Sequence, residues 1–138
     1  MGLTVLAWCT FIAATSSTVI RPHDFFAWLA THVFRDEVSL RRFVAFWGYG
    51  WFAIVKGWHA AEFAILFALV YAVLRRYNRG AFWRNLVVAS AFCLFFAASD
   101  EYHQTFVPGR GGTWRDVAID GLGIGLAATV VFLRRRTA

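Results

Sequence analysis

Hydrophobic positions fall into four long blocks, and polar positions gather between those blocks and at one end of each. A helix needs about 20 mostly apolar residues to cross a bilayer. The first block, 2–19, meets that length. The second, 55–74, carries Lys56, His59 and Glu62 in its first two turns. The third is apolar from Trp83 to Ala98 and reaches spanning length only if its helix runs on through Asp100 to Gln104, giving 83–104. The fourth, 115–133, is apolar from Val117 and has Asp120 one turn in. The pattern predicts an all-α, four-helix integral membrane bundle forming a single domain over 1–138.

The connection 21–54 is long and aromatic. Phe25, Phe26, Trp28, Leu29 and Val33 share a helical face within His23 to Phe34, and Leu40, Phe43, Val44 and Trp47 share another after a Ser39 cap. Two short helices lying on the outer leaflet are expected, with Gly48 and Gly50 separating the second from the membrane span. A re-entrant dip over 43–55 is the alternative.

Composition moves the solvent from water to lipid. Of 138 residues, 59% are hydrophobic, 19% aromatic and only 16% charged, more apolar surface than a small soluble domain could hide. Cys9 and Cys93 lie inside apolar blocks and read as reduced core residues. Met1 to Ile20 has no Lys or Arg, so an uncleaved membrane helix is expected there in preference to a signal peptide.

The net charge of +6 reads as a topology signal. Arg75, Arg76, Arg79 and Arg84 cluster in one connection and Arg134, Arg135 and Arg136 in the tail, with no acid in either. Every acid lies in the other connections or at the span ends facing them. The positive-inside rule then puts both termini in the cytoplasm. A nucleic-acid surface would interleave basic residues with stacking aromatics, and none is seen.

Helical spacing orders the intruding polar residues. Lys56, His59 and Glu62 are three apart on one side of the second span. Asp100, His103 and Gln104 share a side of the third, with Glu101 at its edge. Thr113, Asp116, Asp120, Gly123 and Ala127 form one seam of the fourth. Ala60, Ala64, Ala68 and Ala72, with Gly121, Gly123 and Gly125, make small-residue ridges along which membrane helices approach closely. A charge facing lipid is costly, so these groups are expected to meet in an outward-opening pocket. Its catalytic candidates are His59, Glu62, Asp100, Glu101 and His103. Its ligand-binding candidates are Lys56, Gln104, Arg110, Arg115, Asp116 and Asp120.

Structural readings stand beside these. Thr113-x-x-Asp116 fits a capping box. Pro108-Gly109 and Gly111-Gly112 form turns that put Arg110 at a loop tip. Arg115 suits headgroup depth, Lys56 could snorkel, His23 and His32 read as surface residues, and Gly121 and Gly125 as packing residues. An ion-pair network with a purely structural role remains a reading for the whole cluster. His59-x-x-Glu62 and Glu101-x-His103 offer acceptable metal donors, but no second motif supports a metal, and neither metal nor cofactor is expected. Ser99 is the one hydroxyl adjacent in sequence to the acidic cluster, with nothing to activate it. Guanidinium beside carboxylates and imidazoles suits an anionic head group, for binding or for acid–base chemistry.

The stretch Asp100-Glu101-Tyr-His-Gln104-Thr-Phe106-Val-Pro108-Gly109-Arg110, followed by Asp116-Val117 and Asp120-x-x-Gly123, resembles the hallmark of the VanZ-like family of bacterial membrane proteins. Lys56-Gly-Trp-His59-Ala-Ala-Glu62-Phe63 is similar to the family's upstream pattern, as is the hydroxyl-rich end of the first span, Thr15-Ser16-Ser17. The resemblance covers most of the chain except 21–50. Some members carry Asn where Asp120 stands. It implies a multi-pass protein of the bacterial cytoplasmic membrane, in a family named for a protein that lowers susceptibility to teicoplanin. Three functions follow as expectations. One is an envelope protein recognising a lipid-linked or amphiphilic anionic ligand among membrane lipids, with Lys56 and Arg110 on the anion. Another is an acid–base enzyme acting on the same kind of ligand. The third is a subunit of a larger membrane complex.

Overall fold

A computed structural model describes residues 1–18, 26–29, 32–33 and 36–136, leaving out the side chains at 49, 51, 52 and 136. Four helices carry the fold: α1 (Gly2–Ser17), α2 (Glu37–Tyr77), α3 (Phe82–Gln104) and α4 (Trp114–Arg136). No strand occurs among the described residues. The last three are long and apolar enough to cross a membrane, and α1 is a shorter apolar helix. At 1.5 Å per residue α1 is about 24 Å long, and α3 and α4 are each about 34 Å, against a hydrocarbon core of about 30 Å. The third span does continue through Asp100 to Gln104, as its length requires.

The core is a single stripe on each helix. Ala89, Cys93 and Ala97 recur every four residues on α3, against Phe63, Leu66, Phe67, Val70 and Tyr71 of α2, with Ile12 from α1 and Ile124 from α4. At one end these stripes turn polar without leaving the interior. On α3 the next position in the series is buried Glu101, and on α2 the series continues upward through buried Glu62 and His59. The helices that make the core therefore carry ionisable groups inward at the same end. Small residues set the distance between α2 and α4. A Cβ on Gly123 would lie 1.9 Å from the Ala60 carbonyl oxygen, so the two backbones touch there.

Helix α2 corrects the expectation for the first connection. Its N-cap is Asp36, whose carboxylate accepts the Ser39 N–H at 2.7 Å; Ser39 is inside the helix. That bond holds the Asp36 carboxyl below its ordinary value. The helix then runs through Gly48 and Gly50 without a break for 41 residues, about 61 Å. The second expected helix is the start of α2, and 43–55 is part of the same continuous helix instead of a separate re-entrant segment. A glycine costs a helix about 1 kcal/mol, but stopping one takes a cap or a left-handed residue, and the only positive φ among the described glycines is at Gly109. Of the first expected helix, 26–29 is helical, and Phe26 meets Phe43 edge to face, with ring centroids 6.1 Å apart. His23 and most of the remainder of that segment lie outside the described residues.

Candidate functional site

The polar end is assembled by a turn and a cap. Arg110 N–H donates to Val107 O at 3.0 Å, closing a turn with Pro108 second and Gly109 third at φ 84°. Proline presets the second position of a type II turn, and glycine alone enters the third without strain. The turn brings Arg110 back over the bundle. Gly112 then lies against α3, where a Cβ would fall 1.8 Å from the Glu101 carbonyl oxygen. Thr113 caps α4, with its hydroxyl 3.4 Å from the Asp116 N–H. In a capping box Asp116 would reach back to the Thr113 N–H. Here Glu101 of α3 accepts that N–H at 3.0 Å, which frees Asp116 to pair with Lys56 of α2 at 2.5 Å. One exchanged bond thus ties α2, α3 and α4 together.

Gln104 is the hub beneath. Its amide nitrogen donates to Asp100 at 2.9 Å and to Glu101 at 3.1 Å, while its oxygen accepts from Arg110 at 3.2 Å. Two carboxylates on one side and a guanidinium on the other fix the amide orientation, since the reverse would set donor against donor. Helix α1 joins through consecutive hydroxyls. Thr15 Oγ1 is 2.9 Å from Glu62 Oε1 and also 2.9 Å from Ile12 O, so two acceptors share its one proton. Ser16 donates to Asp100 at 2.6 Å, and Ser17 lies 3.2 Å from His103 Nε2. Trp8 adds an indole bond of 2.9 Å to the Glu62 carbonyl. Arg110 closes the assembly by donating to Thr15 O at 3.2 Å and Thr18 O at 2.8 Å, the exposed carbonyls at the end of α1. These hydroxyls are site residues that carry no charge and so fall outside the ionisable candidates. Their signal was three in succession closing an apolar helix.

A cavity of about 930 Å³ opens above this network, within the size of a small-molecule site. Lys56, His59, Gln104, Arg110 and Asp116 border it, with Thr15 and Thr18 from α1. Phe11, Ala14, Ile54 and Trp58 form an apolar flank, and Gly48 carries the wall up the projecting half of α2. Glu62, Asp100 and Glu101 stand behind this lining, each buried. Asp120 is 1% exposed, and neither of its carboxylate oxygens has a hydrogen-bond partner.

Two candidates fall elsewhere. Arg115 points outward, its guanidinium 5.8 Å from the ring of exposed Trp114. It neighbours Asp116, but one residue turns a helix by about 100°, so the two cannot share a face. His103 is exposed at the margin and does not border the cavity. Ser99 also faces away, bonded to Phe95 O at 2.8 Å. Among the described residues no three His, Cys, Asp or Glu side chains are grouped to hold a metal ion.

The electrostatics of the lining are uneven. Lys56 has a carboxylate partner in Asp116. Arg110 rests on three neutral oxygens, and among the described residues no carboxylate lies within ion-pair distance of it. His59 and Glu62 form a second uneven pair. His59 Nδ1 and Glu62 Oε2 are 3.5 Å apart, and both are buried without a hydrogen bond. The Trp58 indole approaches the same carboxylate outside hydrogen-bond geometry.

Comparison with known proteins agrees with the motif. No match was found among curated proteins or solved structures. A family model, VanZ/LLP1, matches residues 1–135, a span that includes the 21–50 stretch for which the motif has no counterpart. With three helices suited to crossing a bilayer and nearly the whole chain matched, this membrane protein belongs to the VanZ/LLP1 family.

Proposed function

We propose that this protein sits in the bacterial cytoplasmic membrane with both termini inside, and that its cavity opens outward to bind an amphiphile carrying an anionic group. One observation carries the reading. Arg110 lies at the cavity with its charge met only by the neutral oxygens of Gln104, Thr15 and Thr18. A guanidinium in that position gains more from an oxyanion than from any neutral group, because charge-assisted hydrogen bonds are about twice as strong as neutral ones. Lys56 plays a lesser part than the sequence implies, since Asp116 already balances it. The apolar flank of Phe11, Ala14, Ile54 and Trp58 takes the hydrocarbon portion.

Orientation follows from charge and length. Residues 56 to 75, from the cavity to the first arginine of the basic cluster, span about 29 Å at helical rise, one hydrocarbon thickness. The far end holds seven arginines, at 75, 76, 79, 84 and 134–136, with no acid among them, while the acids lie toward the cavity end. Family membership makes the response to teicoplanin-type glycopeptides, which carry lipid-like anchors, the physiological setting to examine.

The test is equilibrium binding to the purified protein in zwitterionic nanodiscs, comparing dodecyl phosphate with dodecanol. The phosphate is expected to bind at least tenfold more tightly. Arg110→Gln should remove at least tenfold of that affinity, the weight of a hydrogen bond to a charged group. Equal affinity for the two probes, or an unaffected variant, contradicts the reading.

A further inference from the structure

His59 adds chemistry that an anion alone does not use. The ring borders the cavity, yet its Nδ1 is sealed from it and faces Glu62 Oε2 at 3.5 Å. The ring therefore reaches the cavity through its opposite edge, which carries Nε2. Neither Nδ1 nor Oε2 has a hydrogen-bond partner. Leaving both unmatched in the interior would cost about 1–3 kcal/mol each, and a small approach across that gap would let each relieve the other. A carboxylate oxygen opposite Nδ1 calls for the tautomer with its proton on Nδ1. Nε2 is then a bare acceptor.

That acceptor stands in a lining whose cations only donate. Arg110 and Lys56 present N–H groups alone, and the Gln104 oxygen is already taken by Arg110. An anion that fills the cavity but brings no hydrogen of its own would satisfy the donors and leave the Nε2 lone pair facing ligand without a donor.

We infer that the preferred ligand of this cavity is an anionic amphiphile whose head group also carries a hydroxyl, the anion held by Arg110 and the hydroxyl donated to His59 Nε2, with Glu62 as the positioning residue. The inference rests on the anion-binding reading and narrows it to one class of head group. Glu62 acts through His59 and touches no ligand, in keeping with its place behind the lining.

Two lipids separate this claim from the reading beneath it. Phosphatidylglycerol and phosphatidylmethanol of the same chain length carry the same phosphodiester charge, and only the first has head-group hydroxyls. Binding to the purified full-length protein in zwitterionic nanodiscs is expected to favour phosphatidylglycerol about fivefold to tenfold, the weight of one hydrogen bond. His59→Phe should bring that ratio to one. Nitrogen-15 spectra of the wild-type histidine ring should place the proton on Nδ1, and Glu62→Gln should mix the tautomers and lower the ratio. Equal binding of the two lipids overturns the inference and leaves anion binding standing. A proton on Nε2 overturns it as well. Binding of neither lipid removes the anion-binding reading along with it.

Discussion

Asp120 is the only side chain among the described residues with two buried, unpartnered polar atoms. It is 1% exposed, both oxygens lack partners, and Asp100, Glu101 and Asp116 lie within its electrostatic reach. An amide there would supply hydrogens to a neighbourhood of acceptors and remove a buried acid. Asp120→Asn is therefore expected to leave the unfolding temperature in detergent unchanged or raise it by about 2–4 °C. A fall of that size would mean that the carboxylate is needed as it stands. Residue identities at the cavity were largely legible. Lys56, His59, Gln104, Arg110 and Asp116 all line it, because a polar side chain in a membrane helix has few stable places to go. Arg115 and His103 were not separable from them by spacing, since periodicity gives a face and not the neighbour that face meets. The hydroxyls of Thr15, Ser16 and Ser17 were opaque for a different reason. A hydroxyl in a helix can bond its own preceding carbonyl, as Ser17 does with Ala13 O at 2.7 Å, so the sequence does not say which of them look outward to another helix.

At the scale of the helix, glycine has opposite meanings at nearby positions. Gly123 brings α4 against the Ala60 carbonyl, whereas a Cβ on Gly125, half a turn on, would meet nothing within 4 Å. Gly123→Ala should cost about 2–3 kcal/mol through overpacking. Gly125→Ala should be neutral or stabilising by up to about 1 kcal/mol. Thermal unfolding of the two variants side by side checks this, and equal effects would refute the close α2–α4 contact. The small-residue ridge was visible in sequence, but not which glycine bears the contact. Gly48 and Gly50 show the limit of punctuation reading. Their weak intrinsic penalty does not outweigh the cooperativity of a helix already formed on both sides. The result is a helix twice the membrane thickness, with its Asp36 cap three residues before the serine that sequence reading favours.

The whole molecule is an uneven bundle. Apolar stripes hold four helices together, and the same stripes deliver carboxylates, an imidazole and hydroxyls to one end. There, a type II turn returns Arg110 over the end of α1. Spans and polar end follow from hydropathy and charge. The hydrogen-bond exchange among Thr113, Glu101 and Asp116 does not, because it depends on how three helix ends meet. The claim on which cavity, anion site and head-group preference all depend is that the hydroxyl end of α1 is seated on the acids of α3. Cysteine crosslinking measures that contact directly. With Cys9 and Cys93 replaced by alanine, Ser16→Cys with Asp100→Cys joins positions whose native side chains are 2.6 Å apart. This pair should form a disulfide in most chains under mild oxidation in membranes, while Ser16→Cys with Ser99→Cys, which faces away, should not. Absence of the first crosslink, or equal yield from the second pair, would contradict the convergence of these helices on one chamber.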